Sequence, residues 1–488
     1  MRPVTILLIC GLLPACASTS YTNDPLAQPG RYEGRASFVI RDDRGHGDVL
    51  VLLALSGGGS RAAYFSGSVM VKLQTAFEDV DLLQEIDAIS SVSGGSLPAA
   101  YYGISDDPGG VVSVRLQGAF DAERLSPALA KRLVYNYKNK MLGIKGRMKP
   151  EEQEGLRAAV TGVGDAGKID QLFRYSQHKG RSKRVWSDQT VKRLMSRNYL
   201  GKWVGDWFWP HNLFGYWFTD YDRSDIMAKT FADNLYDKGV LGKDLKFRDL
   251  NPQRPNLIIN ATNATEDRAN ESYFGEPFTF TDEHFKTLLN SDISRYEISR
   301  AVMASAAFPA VFNYMTLRDY HEEEEAYFHV FDGGNSDNLG LNGVKKVIAA
   351  NGNRYKKIFV ILVDSHIKAK GISRELSDPR SLVSHVIDFN MLESFDTLLD
   401  ANRRKALAEF NTGTYEGAPP DLRSKLQFCH IHFDAIKDAG LREKLNNIPT
   451  SFKIADEHVA LIDTAVKPLV SKDNACLRRM ARTLSALE

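Results

Sequence analysis

Leu55-Ser56-Gly57-Gly58-Gly59-Ser60-Arg61 and, about thirty residues on, Ser91-Val92-Ser93-Gly94-Gly95-Ser96 are the residues of this sequence best suited to chemistry. A run of glycines leaves its backbone N–H groups unobstructed, so those of Gly57, Gly58 and Gly59 can converge on one anion. A serine exposed on a sharp strand-to-helix elbow needs small neighbours on both flanks. Ser93, with Gly95 two residues later, meets half of that requirement; where the elbow pattern has glycine two residues earlier, this chain has Ser91. An anion-binding loop facing a serine nucleophile is the equipment of acyl transfer. Far downstream, Phe328-His329-Val330-Phe331-Asp332-Gly333-Gly334 reads as a short strand ending in an aspartate on a glycine turn.

A serine hydroxyl attacks an ester only when a base takes its proton. Histidine does so in the usual triad, and His329, His366, His430 and His432 all follow Ser93. They leave an α/β-hydrolase triad open, although that fold sets its oxyanion loop farther upstream of the nucleophile than the short interval here. A triple glycine after a strand also suits a nucleotide phosphate, but no Gly-Lys-Ser/Thr follows and the dinucleotide spacing is missing. His430 and His432, two apart on one strand, read as structural, and His321 to Glu325 as a solvated loop, so no metal is expected. Asp364 ends a strand and either supports the site or caps the next helix. Asp337 and Asn338 shape the turn after Asp332.

Taken together the three pieces resemble the patatin-like phospholipase family, whose site logic is shared with the cytosolic phospholipases. The matching residues are Gly57-Gly58-Gly59-x-Arg61, Ser91-x-Ser93-x-Gly95 and Asp332-Gly333-Gly334, in the family's order. Softer matches are Asn256 to Asn263 and Ala304-Ser305-Ala306-Ala307-Phe308-Pro309, and the resemblance spans roughly Val49 to His366. It implies a three-layer α/β sandwich and a lipid acyl hydrolase of the phospholipase A or lysophospholipase kind, without a cofactor. Ser93 would be the nucleophile, Asp332 its base without a histidine, and Gly57, Gly58 and Gly59 the oxyanion hole. Arg61 would hold a phosphate head group or brace the loop. An exposed aspartate, with a pKa near 3.9, is a weak base, so burial has to strengthen it. A catalytically inactive lipoprotein that keeps the fold and binds lipid or a partner is the contrasting reading; Ser91 favours it, and the intact Ser93, Asp332 and glycine loop oppose it.

Strands must present these turns. Val49–Leu55, Ile86–Ser91, Leu257–Ala261, Phe328–Phe331, Ile358–Asp364 and Phe428–Phe433 are apolar runs bounded by Gly, Asn or Asp. Several are continuously apolar, as a mostly parallel sheet covered on both faces requires. Between them, about 106 to 255, the chain reads as a large helical and aromatic insertion. From Lys131 to Lys202 it carries 18 Lys or Arg against 6 Asp or Glu, a face that suits anionic phospholipid or plain solvent. Trp203, Trp207, Trp209 and Trp217 cluster there as an aromatic core or an acyl-chain pocket. The part from about Asn390, with its basic run Asn402-Arg403-Arg404-Lys405, has no motif.

With 43% hydrophobic and 25% charged residues, the 488-residue chain has the composition of a globular protein with a large core. Its net charge of +1 argues against a nucleic-acid partner. Arg2 precedes an apolar run, Val4 to Leu13, shorter than the ~20 residues that span a bilayer but of signal-peptide length. The run ends in Leu13-Pro14-Ala15-Cys16, which resembles a bacterial lipobox whose cysteine is lipidated. Residues 1–15 then read as a signal peptide, 16–46 as a flexible tether and 47–488 as the acyl hydrolase domain. Several acyl chains on Cys16, each buried methylene worth about 0.8 kcal/mol, would anchor the protein in the cell envelope. Ala17, by resemblance, implies the outer membrane. Cys429 and Cys476 remain, as one disulfide in an oxidising compartment or as two core thiols.

Overall fold

All seven residues of β1 (Val49–Leu55) are buried. A strand open on one face would alternate, so a continuous run requires cover on both sides. The computed structural model describes residues 21–26, 32, 34–41, 47–77, 80–105, 184–207, 222–236, 238, 243–266, 274–309, 311–321, 323–367, 389–451 and 453–486. The remaining strands are β2 (Ala88–Val92), β3 (Asn256–Asn263), β4 (Pro277–Phe280), β5 (Met315–Asp319), β6 (Ala326–Asp332), β7 (Lys357–Asp364) and β8 (Leu426–His432). They form one sheet in the order β5, β6, β3, β2, β1, β7, β8, with β4 paired to β3. The run from β3 to β8 is parallel, while β4, β5 and β6 are antiparallel to their neighbours. All six expected strands are present; β4 and β5, at four and five residues, have too short an apolar signal to stand out.

Among the described residues the helices longer than one turn are α1 (Gly59–Leu73), α2 (Ser96–Ile104), α3 (Asp188–Met195), α4 (Tyr199–Trp207), α5 (Arg223–Asn234), α6 (Asp282–Leu289), α7 (Ile298–Ser305), α8 (Leu341–Asn351), α9 (Phe389–Thr412), α10 (Ala439–Asn446), α11 (Asp456–Leu469) and α12 (Ala475–Ser485). Val49, Val51, Leu53 and Leu55 face a core built with α1, α2, α5 and α7. Leu50, Leu52 and Ala54 face a second core, closed by Val344, Val347 and Ile348 of α8 and Phe410 of α9. The result is a three-layer α/β sandwich, as expected. Where described up to Tyr236, the insertion is mainly helical, and α3, α4 and α5 pack into the first core. Trp203 is a packing residue, with Nε1 donating to the Arg223 carbonyl at 3.1 Å and its ring edge-on to Phe312. Trp209, Trp217 and most of the basic stretch lie outside the described residues, as do residues 1–15 and Cys16. No helix among the described residues is long and apolar enough to cross a membrane.

Part of the segment expected to be a flexible tether is instead built into the domain. Phe38 and Ile40 are buried in the second core, Asn256 Nδ2 donates to the carbonyls of Ser37 and Val39, and Asn351 Oδ1 accepts the Ile40 N–H. Farther upstream, the Asn23 side chain donates to Arg318 O and accepts the Arg318 N–H, docking residues 21–26 beside β5. The alternation Ala36, Phe38, Ile40 is a period-two apolar signal that the Gly, Pro and Asp content of the segment masked. Cys429 of β8 and Cys476 of α12 form a disulfide, the first of the two states left open for them.

One detail of the sheet positions the site. β4 occupies one edge of β3 at Ile259–Thr262, so β2 and β6 share the other edge. β2 runs with β3 and β6 runs against it, so their C-terminal ends meet. Val92 pairs with Asn260, and Asp332 with the very next residue, Ala261.

Candidate active site

The chain leaves β2 through Ser93, which has φ 49°. Apart from Asn290, which caps α6, no other described non-glycine residue has positive φ. A serine held there costs about 1–3 kcal/mol and is the backbone form of a nucleophile elbow. The Ser93 hydroxyl donates to Asp332 Oδ2 at 3.0 Å, and the Gly334 N–H donates to Asp332 Oδ1 at 2.7 Å. Asp332 is only 5% exposed. Burial pushes its carboxyl up to about 7, against the opposing pull of the Gly334 and Ser93 hydrogen bonds. A carboxyl near neutrality can take and return a proton at the pH of the cell.

Ser305, at the end of α7, ties the two halves together. Its hydroxyl accepts the Ser93 N–H at 2.8 Å and donates to Asn260 O at 2.6 Å, and its carbonyl accepts the Gly333 N–H at 3.2 Å. The amides of the serine and of the residue after the aspartate are thus held by one side chain and its own backbone. Ser91, where the elbow pattern has glycine, is buried and satisfied: its hydroxyl donates to Ile258 O and accepts from Ser96.

The first glycine turn leaves β1 beside the second. A Cβ on Gly94 would lie 2.0 Å from Gly59 O, and one on Gly95 2.6 Å from Ser56 O. Gly58 and Gly59 adopt φ 132° and 61°, which other residues rarely reach. The three expected anion donors are not equivalent. The Gly57 N–H is already accepted by Asn338 O at 2.9 Å, a bond that sequence order could not foretell, whereas those of Gly58 and Gly59 meet no acceptor among the described residues. The set available to an anion is therefore two, Gly58 and Gly59. Ser60, next in line, donates to Ser451 O at 2.7 Å. Arg61 is buried, with Nε donating to Ser365 O at 3.0 Å and one terminal nitrogen donating to Ile448 O at 2.7 Å, the geometry of a brace.

The histidines are engaged elsewhere. His329 Nδ1 lies 3.0 Å from Thr316 Oγ1. His430 Nε2 is bonded to Asp364 Oδ2 at 3.0 Å, and His432 stacks on His430. Burial, together with the neighbouring His430, brings the His432 ring down to about 4. His366 Nε2 faces Asp400 Oδ1 at 3.5 Å and its N–H caps Asp364. Asp364 also receives two bonds from Arg403. Burial pushes its carboxyl up, but His430 and the Arg403 guanidinium outweigh this and hold it well below the usual carboxylate range. This knot joins β7, β8 and α9 and accounts for Arg403 of the basic run. Asp337 accepts the N–H groups of Leu339 and Asn342, shaping the turn as expected. Asp319 and His321 pair with each other at the turn between β5 and β6. Ser305, Ser365 and the 448–451 loop have no sequence signal for a role here; their hydroxyls and carbonyls bond the main chain or side chains of distant segments.

A family model described as Patatin-like phospholipase matches residues 53–344, more than half of the chain. The comparison with curated proteins found no match. Among solved structures, human GIVD cytosolic phospholipase A2 is 11% identical with a TM-score of 0.39, over 92% of this chain and 64% of that one. VipD from Legionella pneumophila is 12% identical with a TM-score of 0.23, over 96% of this chain and 77% of its own. The chain thus spans less than two thirds of the human protein's length.

Proposed function

The chain belongs to the patatin-like phospholipase family, and from that premise we propose that it is a serine lipid acyl hydrolase working through Ser93 and Asp332. The observation that carries the reading is the 3.0 Å bond from the Ser93 hydroxyl to a buried carboxyl poised near neutrality. As Ser93 Oγ bonds to the ester carbonyl carbon, its proton passes to Asp332 Oδ2. The carbonyl oxygen becomes negative between the Gly58 and Gly59 N–H groups. Collapse breaks the carbon–oxygen bond to the alcohol; the alcohol leaves with the proton from Asp332, and the acyl group stays bonded to Ser93 Oγ. Water then gives a proton to Asp332 and attacks the acyl carbon; Ser93 recovers that proton as the fatty acid departs. Each oxyanion donor of this kind is worth about 2.7–4 kcal/mol in the transition state.

Fatty acid release from mixed phospholipid vesicles, with Ser93→Ala beside the wild type, tests this. The wild type alone should release acid and should alone react with a fluorophosphonate, which joins phosphorus to Ser93 Oγ and expels fluoride. A folded wild type that does neither would leave the lipid-binding, catalytically inactive reading in its place. Asp332 acts as a base only when ionised, so kcat/KM should fall as pH drops through about 7. A profile flat from pH 5 to 8 would contradict the assignment.

Localisation is a second part of the proposal: export by the signal at 1–15 and lipidation of Cys16, supported by Leu13-Pro14-Ala15-Cys16. The Cys429–Cys476 bond is in keeping with an oxidising compartment. Labelled palmitate fed to expressing bacteria should enter the wild type and not Cys16→Ala; equal labelling of the two would refute the anchor.

A further inference from the structure

We propose that Ser365 is the positioning residue of the oxyanion loop, its hydroxyl fixing the Gly57–Gly58 peptide so that the Gly58 N–H faces the developing charge. The inference rests on the acyl-hydrolase reading and concerns a residue beyond the segment that the family model matches, 53–344.

Ser365 directly follows β7 and is fully buried. Each of its polar groups is spent on the glycine turn or the helix that follows it. Its N–H donates to Ser56 Oγ at 2.9 Å, its hydroxyl donates to Gly57 O at 2.8 Å, and its carbonyl accepts Arg61 Nε at 3.0 Å. Every described peptide bond is trans. In a planar trans peptide the carbonyl and the N–H point in opposite directions, so anchoring one aims the other. With Gly57 O held by Ser365, the Gly58 N–H points away from Ser365. The Ser93 turn flanks the same loop: a Cβ on Gly57 would lie 3.4 Å from Ser93 Cβ. The Gly58–Gly59 peptide is fixed in the same manner, since Gly58 O accepts the Ala62 N–H of α1 at 3.3 Å.

The anchor is needed because the unit is Gly–Gly. Glycine crosses φ space at little cost, so a peptide between two glycines can rotate about its flanking bonds. Rotation would withdraw the Gly58 N–H and turn the Gly57 carbonyl oxygen toward the reacting ester, replacing a donor by a negative dipole. Ser56 Oγ, 3.1 Å from Gly57 O, already accepts the Ser365 N–H and is a weaker second hold. The surroundings leave no room for another device: a Cβ on Gly58 would lie 2.6 Å from Ser365 Oγ.

The test is Ser365→Ala assayed on p-nitrophenyl butyrate, with melting temperature as the check on folding. Outright removal of an oxyanion donor costs about 10²–10³ in kcat, and loosening one should cost about 10–100-fold. KM should stay within a factor of two, because the ground-state ester carries no full charge for the loop to hold. The rate of fluorophosphonate capture should fall by the same factor as kcat, which a merely structural defect that raised KM would not produce. If the Ala variant melts below the assay temperature, Ser365→Cys, of similar shape with a weaker donor, makes the same reading at a smaller amplitude. A folded Ser365→Ala with wild-type kcat, or one whose loss lies wholly in KM, overturns the assignment. An inactive wild type whose Ser93 also resists the fluorophosphonate overturns the hydrolase reading itself, and this inference with it.

Discussion

Asp332→Asn should abolish turnover and, above neutral pH, make the protein more stable. An amide cannot take the Ser93 proton, and loss of the group that manages the proton in a serine acyl-transfer site costs about 10⁴ in kcat. The stability gain follows from linkage. Burial raises the Asp332 carboxyl to about 7 in the folded chain, against about 3.9 unfolded. A group whose folded pKa is raised contributes stability below its unfolded value and loses it as pH climbs through the folded value. The ionised base that the proposed reaction needs is therefore carried at a cost on the order of a few kcal/mol, which builds up between about pH 4 and 7 and is fully present above it. Melting curves of wild type and Asp332→Asn at pH 5 and pH 8 make the comparison. The wild type should lose ground to the variant at pH 8; parallel behaviour at both pH values would mean that the carboxyl is not strained by ionisation.

Gly94→Ala should be nearly as damaging for a different reason. The added Cβ would sit 2.0 Å from Gly59 O, 2.8 Å from Gly59 C and 3.1 Å from Gly59 Cα. These are backbone atoms of the facing turn, so no rotamer change relieves the contact and the two turns must separate. Overpacking commonly costs about 1–3 kcal/mol, and a clash with main chain lies at or beyond the upper end. In catalysis a displacement of about 1 Å costs ~10²-fold. The variant should show a lowered melting temperature and little acid release, and Gly205→Ala, in open space on α4, should show neither. Wild-type activity in Gly94→Ala would show that the spacing of the two turns is not what sets the rate.

The sheet could be read from sequence where burial on both faces wrote a continuous apolar run, as in β1 and in β7 after Lys357. β5, Met-Thr-Leu-Arg-Asp, has two buried residues and lies at the sheet edge, and no periodicity test separates it from a loop. Ser93 and Asp332 were legible because each sits on a turn whose glycines are forced by close packing. The state of the glycine donors was not. Whether the Gly57 N–H is free depends on the carbonyl of Asn338, brought alongside only by the fold. Arg61 was ambiguous for the same cause: its acceptors, Ser365 O and Ile448 O, are main-chain oxygens, which no residue type announces. Around residues 34–41 two signals compete: the Gly, Pro and Asp content reads as a loop, and the alternation at Ala36, Phe38 and Ile40 reads as packing.

The head-to-head meeting of β2 and β6 along one edge of β3 gives β3 the part of a ruler. Ser93 and Asp332 are not fixed to each other by a shared loop; each is read off against consecutive marks, Asn260 and Ala261. One residue of slip in β6 would carry the carboxylate about 3.4 Å along the ruler and turn it to the opposite face of the sheet. The distance between serine and aspartate is thus quantised by strand pairing, so a single-residue deletion within β6 acts as a discrete switch where a side-chain substitution is a graded change.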